Sequence, residues 1–172
     1  MSKTGWRKRR AGHSEGVVPT EYEMTTGLTY AEAVLKESIR LKSVAPALNI
    51  ETNEEKVICG TRFPAETRLL LLIREASYGS DQAAEFDPDR WLRDTAGCPA
   101  PKSLHFGAGP RFCPGRNLAF LEAKSAIAML ARNFEWDLDE SGGPVRESFD
   151  FAMAPKGLRV HLRERSVVPV AA

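Results

Sequence analysis

The chain has 172 residues, 42% of them apolar, which is sufficient to form the core of one domain. Its formal net charge is +1, so the composition gives no sign of a polyanionic partner such as nucleic acid. No apolar run reaches the roughly 18 to 20 residues that a membrane-spanning helix needs, and no apolar segment follows the basic N-terminus. We therefore expect a soluble, cytoplasmic protein without a signal peptide.

Residues 1–27 carry a basic cluster at positions 6–10 and several glycines, which is typical of a disordered arm. A helix is predicted to begin at Thr29 and to run to about Leu41. Its first residues, Thr-Tyr-Ala-Glu, have the pattern of a capping box between Thr29 and Glu32. Glu37 and Arg40 lie three residues apart on one face and can form an ion pair. Considered alone, such a pair indicates a surface contact worth less than about 1 kcal/mol.

Residues 57–73 have a strand pattern that two turns interrupt. Val57-Ile58-Cys59 precedes a turn at Gly60, and a second turn follows at positions 64–67. Glu66 occupies a turn position where a positive φ would cost a non-glycine residue on the order of 1 kcal/mol. The apolar run 69–73 is typical of a buried strand. No clear pattern follows in residues 73–81.

Residues 106–115 read Phe-Gly-Ala-Gly-Pro-Arg-Phe-Cys-Pro-Gly and place Cys113 in a glycine-rich loop before a predicted helix. Nearby cations such as Arg111 and the positive end of a helix dipole both favour a thiolate, the form of cysteine that binds metal. Glycines let the backbone approach a flat cofactor closely, and the ring of Phe106 can lie against it. The alternative is a structural cysteine in a turn, because free cysteines are mostly small buried residues.

The other cysteines and the histidines give no metal site. Three cysteines without C-x-x-C spacing argue against a disulfide framework and against four-ligand zinc, so Cys59 and Cys98 are expected to be inert. We expect three scattered histidines to be surface or structural residues: His13, His105 and His161.

The C-terminal third has one helical pattern and two strand patterns. Residues 116–134 are rich in Ala and Leu on two flanks, which predicts a helix buried on most sides. Residues 149–153 and 158–162 alternate like the strands of a hairpin, with its turn at positions 155–157.

Three motifs in this order resemble the cytochrome P450 family, over about residues 28–163. They are E-x-x-R from Glu37 to Arg40, F-x-P-x-R-W from Phe86 to Trp91, and F-x-x-G-x-R-x-C-x-G from Phe106 to Gly115. The resemblance implies an α+β, mainly helical fold that matches only the C-terminal part of the family's domain. Its parts are the E-x-x-R helix, a small β-sheet, a meander, the cysteine loop with its following helix, and a C-terminal hairpin. The implied division is an arm at 1–27, the P450-like part at 28–165 and a tail at 166–172.

The resemblance also implies a cofactor and its ligands. Heme b, iron protoporphyrin IX, would be ligated through the sulfur of Cys113, and Arg111 would pair with a heme propionate. Further implied cofactor-binding residues are Phe106, Gly107, Gly115 and Ala119. A structural triad would place the Glu37 carboxylate between the guanidiniums of Arg40 and Arg90, since a buried charge must be paired and Arg offers planar, bidentate donors.

The implied reaction inserts one oxygen atom of O2 into an apolar small molecule. An electron-donor protein, either a ferredoxin or a flavoprotein reductase, would supply electrons, and Arg116 and Lys124 are candidates for docking it. Residues 43–48 and 149–153 are candidate pocket segments.

Two departures from the family pattern affect these expectations. The family's oxygen-activating helix has no match, so we expect this chain alone to be inactive without a complementary N-terminal half. Residues 47–51 also lack the basic residue that relatives commonly place there, and Arg62 is a possible substitute. The alternatives are a truncated, non-catalytic heme-binding fragment and a heme-free thiol-dependent protein.

Overall fold

The computed structural model describes residues 27–76, 85–93 and 104–165. Its helices are α1 (Thr29–Leu41), α2 (Ile73–Ala76) and α3 (Arg116–Asn133). Its strands are β1 (Leu48–Glu51), β2 (Lys56–Ile58), β3 (Thr61–Phe63), β4 (Arg68–Leu71), β5 (Phe134–Leu138), β6 (Arg146–Phe149), β7 (Met153–Lys156) and β8 (Val160–Glu164). This combination confirms the α+β class, although helix does not predominate in the described residues. The predicted arm before residue 27, the predicted tail, His13 and Cys98 lie outside them.

Helix α1 has the predicted bounds, but the capping box is wrong. The helix begins without a side-chain cap, and the backbone N–H of Glu32 donates to the carbonyl of Leu28 at 3.0 Å. The Glu32 carboxylate instead accepts hydrogen bonds from Lys36, at 2.8 Å, and from Lys124 of α3, at 3.2 Å. Two lysines compete successfully for Glu32 because a charged partner binds a carboxylate more strongly than a neutral backbone amide does.

Helix α3 packs against α1, and this contact corrects two predictions about α3. Lys124 is only 7% exposed and bound to Glu32, so it does not form part of a docking surface. The helix is also not buried on most sides, because Leu118, Met129 and Leu130 are exposed while only Phe120 and Lys124 are buried. The apolar surface of α3 is therefore larger than the area that the other described elements cover.

Strands β1 to β4 form two antiparallel pairs, β1 with β4 and β2 with β3. The β2–β3 turn places both Cys59 and Gly60 at positive φ, as a two-residue hairpin turn of type I′ requires. The second predicted turn is also present, and Glu66 has a positive φ of 63°, the conformation that is costly for a non-glycine residue. The backbone N–H of Glu66 donates to the carbonyl of Thr52 at 2.6 Å, and this bond attaches the turn to the residue that follows β1.

The apolar run 69–73 is not a buried strand. Strand β4 ends at Leu71, and Ile73 starts the short helix α2 with its side chain buried. Leu70 is 59% exposed and Leu72 is 55% exposed. Leu71 between them is 37% exposed, so no face of this part of the two-stranded ribbon is buried by the described residues.

The predicted C-terminal hairpin is wrong in its pairing. Strand β6 pairs with β7, so that Phe149 faces Met153 across a tight turn. Strand β8 pairs with β5, directly after α3, in a register that places Glu135 opposite Arg163 and Asp137 opposite His161. Opposite charges across this register and the salt bridge from Arg163 to Asp137, at 3.1 Å, favour the long-range pairing.

The core of the described residues is small. Three apolar side chains are buried, those of Ala33, Ile73 and Phe120, whereas the most deeply buried large side chain is the charged Glu37, at 0% exposure. Neither long helix in the described ranges has the continuous apolar stretch needed to traverse a bilayer. Burial in this part of the chain is therefore organised around a polar cluster next to a cavity.

Candidate functional site

A cavity of about 1500 Å³ lies between α1, β1, the loop before α3, and α3 itself. It is larger than the roughly 300 to 1,000 Å³ of a typical small-molecule site. Residues from five parts of the fold line it. They are Leu35 and Ile39 of α1; Ser43, Val44 and Ala45 of the segment after α1; Leu48, Asn49 and Glu51 of β1; Arg68 of β4; and His105, Phe106, Gly107, Arg111, Cys113, Ala119 and Phe120 of the cysteine loop and α3. Five of the six predicted cofactor-binding residues thus lie on one cavity, and the exception is Gly115.

The loop that carries Cys113 is folded back on itself. The backbone N–H of Cys113 donates to the carbonyl of Phe106 at 2.8 Å, and that of Gly107 donates to the carbonyl of Leu104 at 2.8 Å. Gly107 has a φ of 74°, and a Cβ there would lie 3.2 Å from the Arg111 carbonyl oxygen. Both the conformation and the close approach therefore require glycine at position 107.

Cys113 lies at the N-terminal end of α3. The backbone N–H of Arg116 donates to the Cys113 carbonyl at 3.4 Å, and Gly115 precedes the helix with ordinary dihedral angles. A Cβ at Gly115 would be 3.8 Å from the Cys113 Sγ, which is van der Waals contact without a clash. The thiol is half-buried and lines the cavity, at the end of the helix where the dipole favours negative charge.

Two aromatic rings flank the loop and are covered by an arginine. The rings of Phe106 and Phe120 are 5.7 Å apart between centroids, and the Arg116 guanidinium lies 4.4 Å from the Phe120 centroid and 5.9 Å from that of Phe106. Arg116, a predicted docking residue, stacks against these rings. Such stacking fixes the Phe106 ring at the cavity wall.

Glu37 is the centre of a hydrogen-bonded cluster that fixes α1 to the 85–93 segment. Its Oε1 accepts from Arg40 Nη2 at 2.8 Å, from Arg90 Nε at 3.0 Å and from the Asp87 backbone at 3.0 Å. Its Oε2 accepts from Arg40 Nε at 2.9 Å and from Trp91 Nε1 at 2.9 Å. The structure thus brings the three predicted residues together and adds two donors that the sequence reasoning missed.

The electrostatics of this cluster follow from its contacts. Burial alone would raise the pKa of the Glu37 carboxyl, but hydrogen bonds from Arg40, the Asp87 backbone and Trp91, with the charge of Arg40, lower it to about 2. Glu37 is therefore ionised throughout the physiological range. A fully buried carboxylate with five donors is a structural anion and has no free lone pair for proton transfer.

His105 is a further cavity residue. Its side chain is half-buried, and burial, followed by the charge of Arg40, lowers the pKa of the imidazole. It stands one residue before Phe106, so the cysteine loop itself brings it to the cavity. His161, by contrast, is exposed on β8.

The β6–β7 pair is bound to the segment that follows α1. The backbone N–H of Met153 donates to the Val44 carbonyl at 2.8 Å. Glu147 accepts hydrogen bonds from Arg74, at 2.6 and 3.1 Å, and from Lys42, and these bonds lower its pKa to about 2. The predicted pocket segment 43–48 contributes to the cavity lining, whereas none of residues 149–153 does.

The cavity offers one soft metal ligand. No group of three or more His, Cys, Asp or Glu side chains in residues 27–76, 85–93 and 104–165 is placed to hold a metal ion. The Cys113 side chain places its sulfur on the cavity wall, whereas Cys59 is exposed in the β2–β3 turn. A metal bound here would need most of its ligands from another molecule, as iron has in a porphyrin.

Comparison with known proteins identifies the family. The sequence model of the Cytochrome P450 family matches residues 9–162, which is most of the chain. The chain therefore belongs to the cytochrome P450 family.

Individual relatives agree with this membership. The mitochondrial cytochrome P450 12b1 of Drosophila acanthoptera is 30% identical over 91% of this chain. A tabersonine 6,7-epoxidase of Catharanthus roseus is 34% identical over 73% of it, and a self-sufficient cytochrome P450 monooxygenase of Aspergillus terreus is 32% identical over 77%. The matched regions are 32%, 25% and 13% of these relatives, so the chain spans about a third or less of each.

Proposed function

We propose that this chain forms the heme-binding part of a cytochrome P450 monooxygenase, with Cys113 as the thiolate ligand of the iron. The observation that carries the proposal is the position of Cys113 on a large cavity, at the start of α3 and in a loop that Gly107 and two backbone hydrogen bonds hold in shape. A single thiolate fits heme, because the porphyrin supplies the other in-plane ligands. The same donor set does not fit zinc or calcium.

The remaining predicted cofactor-binding residues have separable roles. Phe106 provides an aromatic wall that Arg116 and Phe120 hold in place. Ala119 presents a small side chain to the cavity on the first turns of α3, and Gly115 leaves space next to the sulfur. Arg111 is an exposed cation at the cavity, and among the described residues no carboxylate pairs with it, so it is available for a heme propionate.

In the proposed reaction, one oxygen atom of O2 enters an apolar small molecule, with electrons from a ferredoxin or a flavoprotein reductase. Heme supplies the oxygen-activating chemistry when it is bound. The chain's own contribution is to hold the sulfur ligand, to shape one side of the cavity and to position the anionic edge of the cofactor. The triad of Glu37, Arg40 and Arg90 is proposed to be structural.

A second candidate function is heme binding without oxygen insertion. It is favoured by the exposure of large apolar side chains, of which Phe151 is 98% exposed. Exposed apolar patches mark surfaces that another segment or protein covers. We propose that residues 28–165 form one part of the P450 domain and that a complementary N-terminal part covers these surfaces.

The test is a spectroscopic titration of the purified chain with hemin, followed by reduction and addition of CO. We expect a red-shifted Soret band of the thiolate type. Cys113→Ser should lose this band, whereas Cys59→Ser, a matched change at an exposed cysteine, should keep it. Correctly folded wild-type protein that binds no heme would overturn the proposal. A turnover assay with a donor and NAD(P)H then separates the two candidate functions.

A further inference from the structure

A second arginine lies on the cavity and is not part of the predicted site. Arg68 is the first residue of β4, and its side chain is 91% exposed. Among the described residues its charged partner is Glu51, with 3.6 Å between Arg68 Nε and Glu51 Oε2. That separation is too long for a strong hydrogen bond, and an exposed pair of this kind contributes little stability. The guanidinium is therefore available to another anion.

The strand register places Arg68 beside the segment that lacks a basic residue. Strand β4 pairs with β1 so that Arg68 is opposite Glu51 and Leu70 is opposite Asn49. Directly opposed residues of an antiparallel pair point to the same face, so Asn49, Glu51 and Arg68 share one face. Diagonal neighbours such as Asn49 and Arg68 are about 7 to 8 Å apart, a distance that an arginine side chain can bridge.

Asn49, Glu51 and Arg68 form one edge of the cavity, which we call the β1–β4 rim. The charges at this rim explain why an anion would bind there. Glu51 and Arg68 both line the cavity, and Asn49 adds a neutral amide with hydrogen-bond donors. Without Arg68, Glu51 would leave this end of the cavity negative and would repel a carboxylate. With Arg68 the end is close to neutral, and the planar guanidinium can bind a carboxylate through two donors.

We propose that Arg68 binds a propionate carboxylate of heme at the β1–β4 rim, in place of the basic residue missing from positions 47–51. The inference rests on the proposed function, because heme is the ligand whose carboxylates Arg68 would bind. Arg62, the substitute considered from sequence alone, is exposed on β3, forms a salt bridge to Glu55 and does not line the cavity.

The experiment is a hemin titration of four proteins: the wild type, Arg68→Gln, Glu51→Gln and Arg62→Gln. We expect Arg68→Gln to weaken heme binding about three- to tenfold, since it removes charge-assisted hydrogen bonds. Glu51→Gln should strengthen binding about two- to threefold by removing the competing carboxylate. Arg62→Gln is the matched control and should bind like the wild type. Circular dichroism should show that all four fold, because each altered side chain is exposed.

A parallel titration uses heme dimethyl ester, whose propionates carry no charge. The difference between Arg68→Gln and the wild type should disappear with this ligand. Unchanged hemin affinity in Arg68→Gln, or an equal loss for hemin and for its ester, would overturn this inference and leave the role of Cys113 intact. Absence of heme binding in the wild type would overturn both proposals.

Discussion

The buried carboxylate of Glu37 gives the most direct test of how this part of the fold is stabilised. Glu37→Ala removes the acceptor of hydrogen bonds from Arg40, Arg90, Trp91 and the Asp87 backbone. The Arg40 side chain is only 7% exposed, so its guanidinium cannot recover these bonds from water. We expect the variant to lose both stability and the proposed heme binding, because hydrogen bonds of this cluster attach the 85–93 segment to α1.

Two estimates of the magnitude agree. Removing one partner of a buried ion pair costs about 3 to 5 kcal/mol, because the remaining charge is uncompensated. Independently, the difference between the ordinary pKa of 4.5 and the pKa of about 2 in the folded protein corresponds to about 3 kcal/mol. A domain is typically stable by about 5 to 15 kcal/mol, so the variant should lose a large fraction of its free energy of unfolding.

The assay is urea unfolding followed by circular dichroism, together with the heme content of the purified protein. Glu55→Ala is the matched control, since Glu55 pairs with Arg62 at an exposed site and should contribute less than about 1 kcal/mol. The reasoning fails if Glu37→Ala unfolds within 1 kcal/mol of the Glu55→Ala control and retains normal heme content.

Two further predictions concern charge and backbone strain. Since Glu37 has a lower pKa folded than unfolded, its stabilisation is complete above pH 4.5 and is lost as the pH falls towards 2. The difference in melting temperature between the wild type and Glu37→Gln should shrink over this range, and a constant difference would contradict the assignment. Glu66→Gly should raise the free energy of unfolding by about 0.5 to 1 kcal/mol, because Glu66 has a φ of 63°. Ala65→Gly in the same turn should lower it, and equal effects of the two changes in urea unfolding would exclude strain at Glu66.

The Glu37 cluster shows how far local spacing can predict a buried site. The three-residue spacing on α1 predicts contact between Glu37 and Arg40, and the resemblance to the family adds Arg90, 53 residues away. Spacing does not predict the donors from Trp91 and the Asp87 backbone, because the 3₁₀ turn at Pro88–Trp91 sets their positions. The nearby sequence signal was the tryptophan directly after Arg90, whose indole N–H needs an acceptor when buried.

The C-terminal strands show what an alternating apolar and polar pattern does not predict. A period of two identifies a strand and its faces, but it does not identify the partner strand. The alternating segments at 149–153 and 158–162 therefore predict one hairpin, whereas β8 pairs with β5, more than 20 residues earlier. Cross-strand charges on β5 and β8, such as Asp137 and Arg163, were the sequence signal for this pairing.

Apolar runs in the sequence predict buried side chains, but several of these side chains are exposed in the described part of the structure. Leu70 and Leu72 lie in a run typical of a buried strand, and Leu118 lies on an apolar flank of α3, yet all three are exposed. A hydrophobic pattern shows that a surface is suited to a partner, but it does not show which segment supplies that partner. The loop around Cys113, by contrast, depends on short-range backbone geometry, and its lining of the cavity agrees with what the resemblance to the family implies.

Helix α1 connects the Glu37 cluster to the cavity through its two faces. With 3.6 residues per turn, Leu35 and Ile39 share one face and line the cavity, while Ala33, Glu37 and Arg40 are buried on the other side. The cluster thus fixes the orientation of a cavity wall, although Glu37, Arg40 and Arg90 do not themselves line the cavity. The variants Glu37→Ala and Cys113→Ser should therefore differ in their effects. Glu37→Ala should lower both the free energy of unfolding and the heme content. Cys113→Ser should change the spectrum of a protein whose free energy of unfolding without heme is unaltered, because only the second change removes the proposed iron ligand.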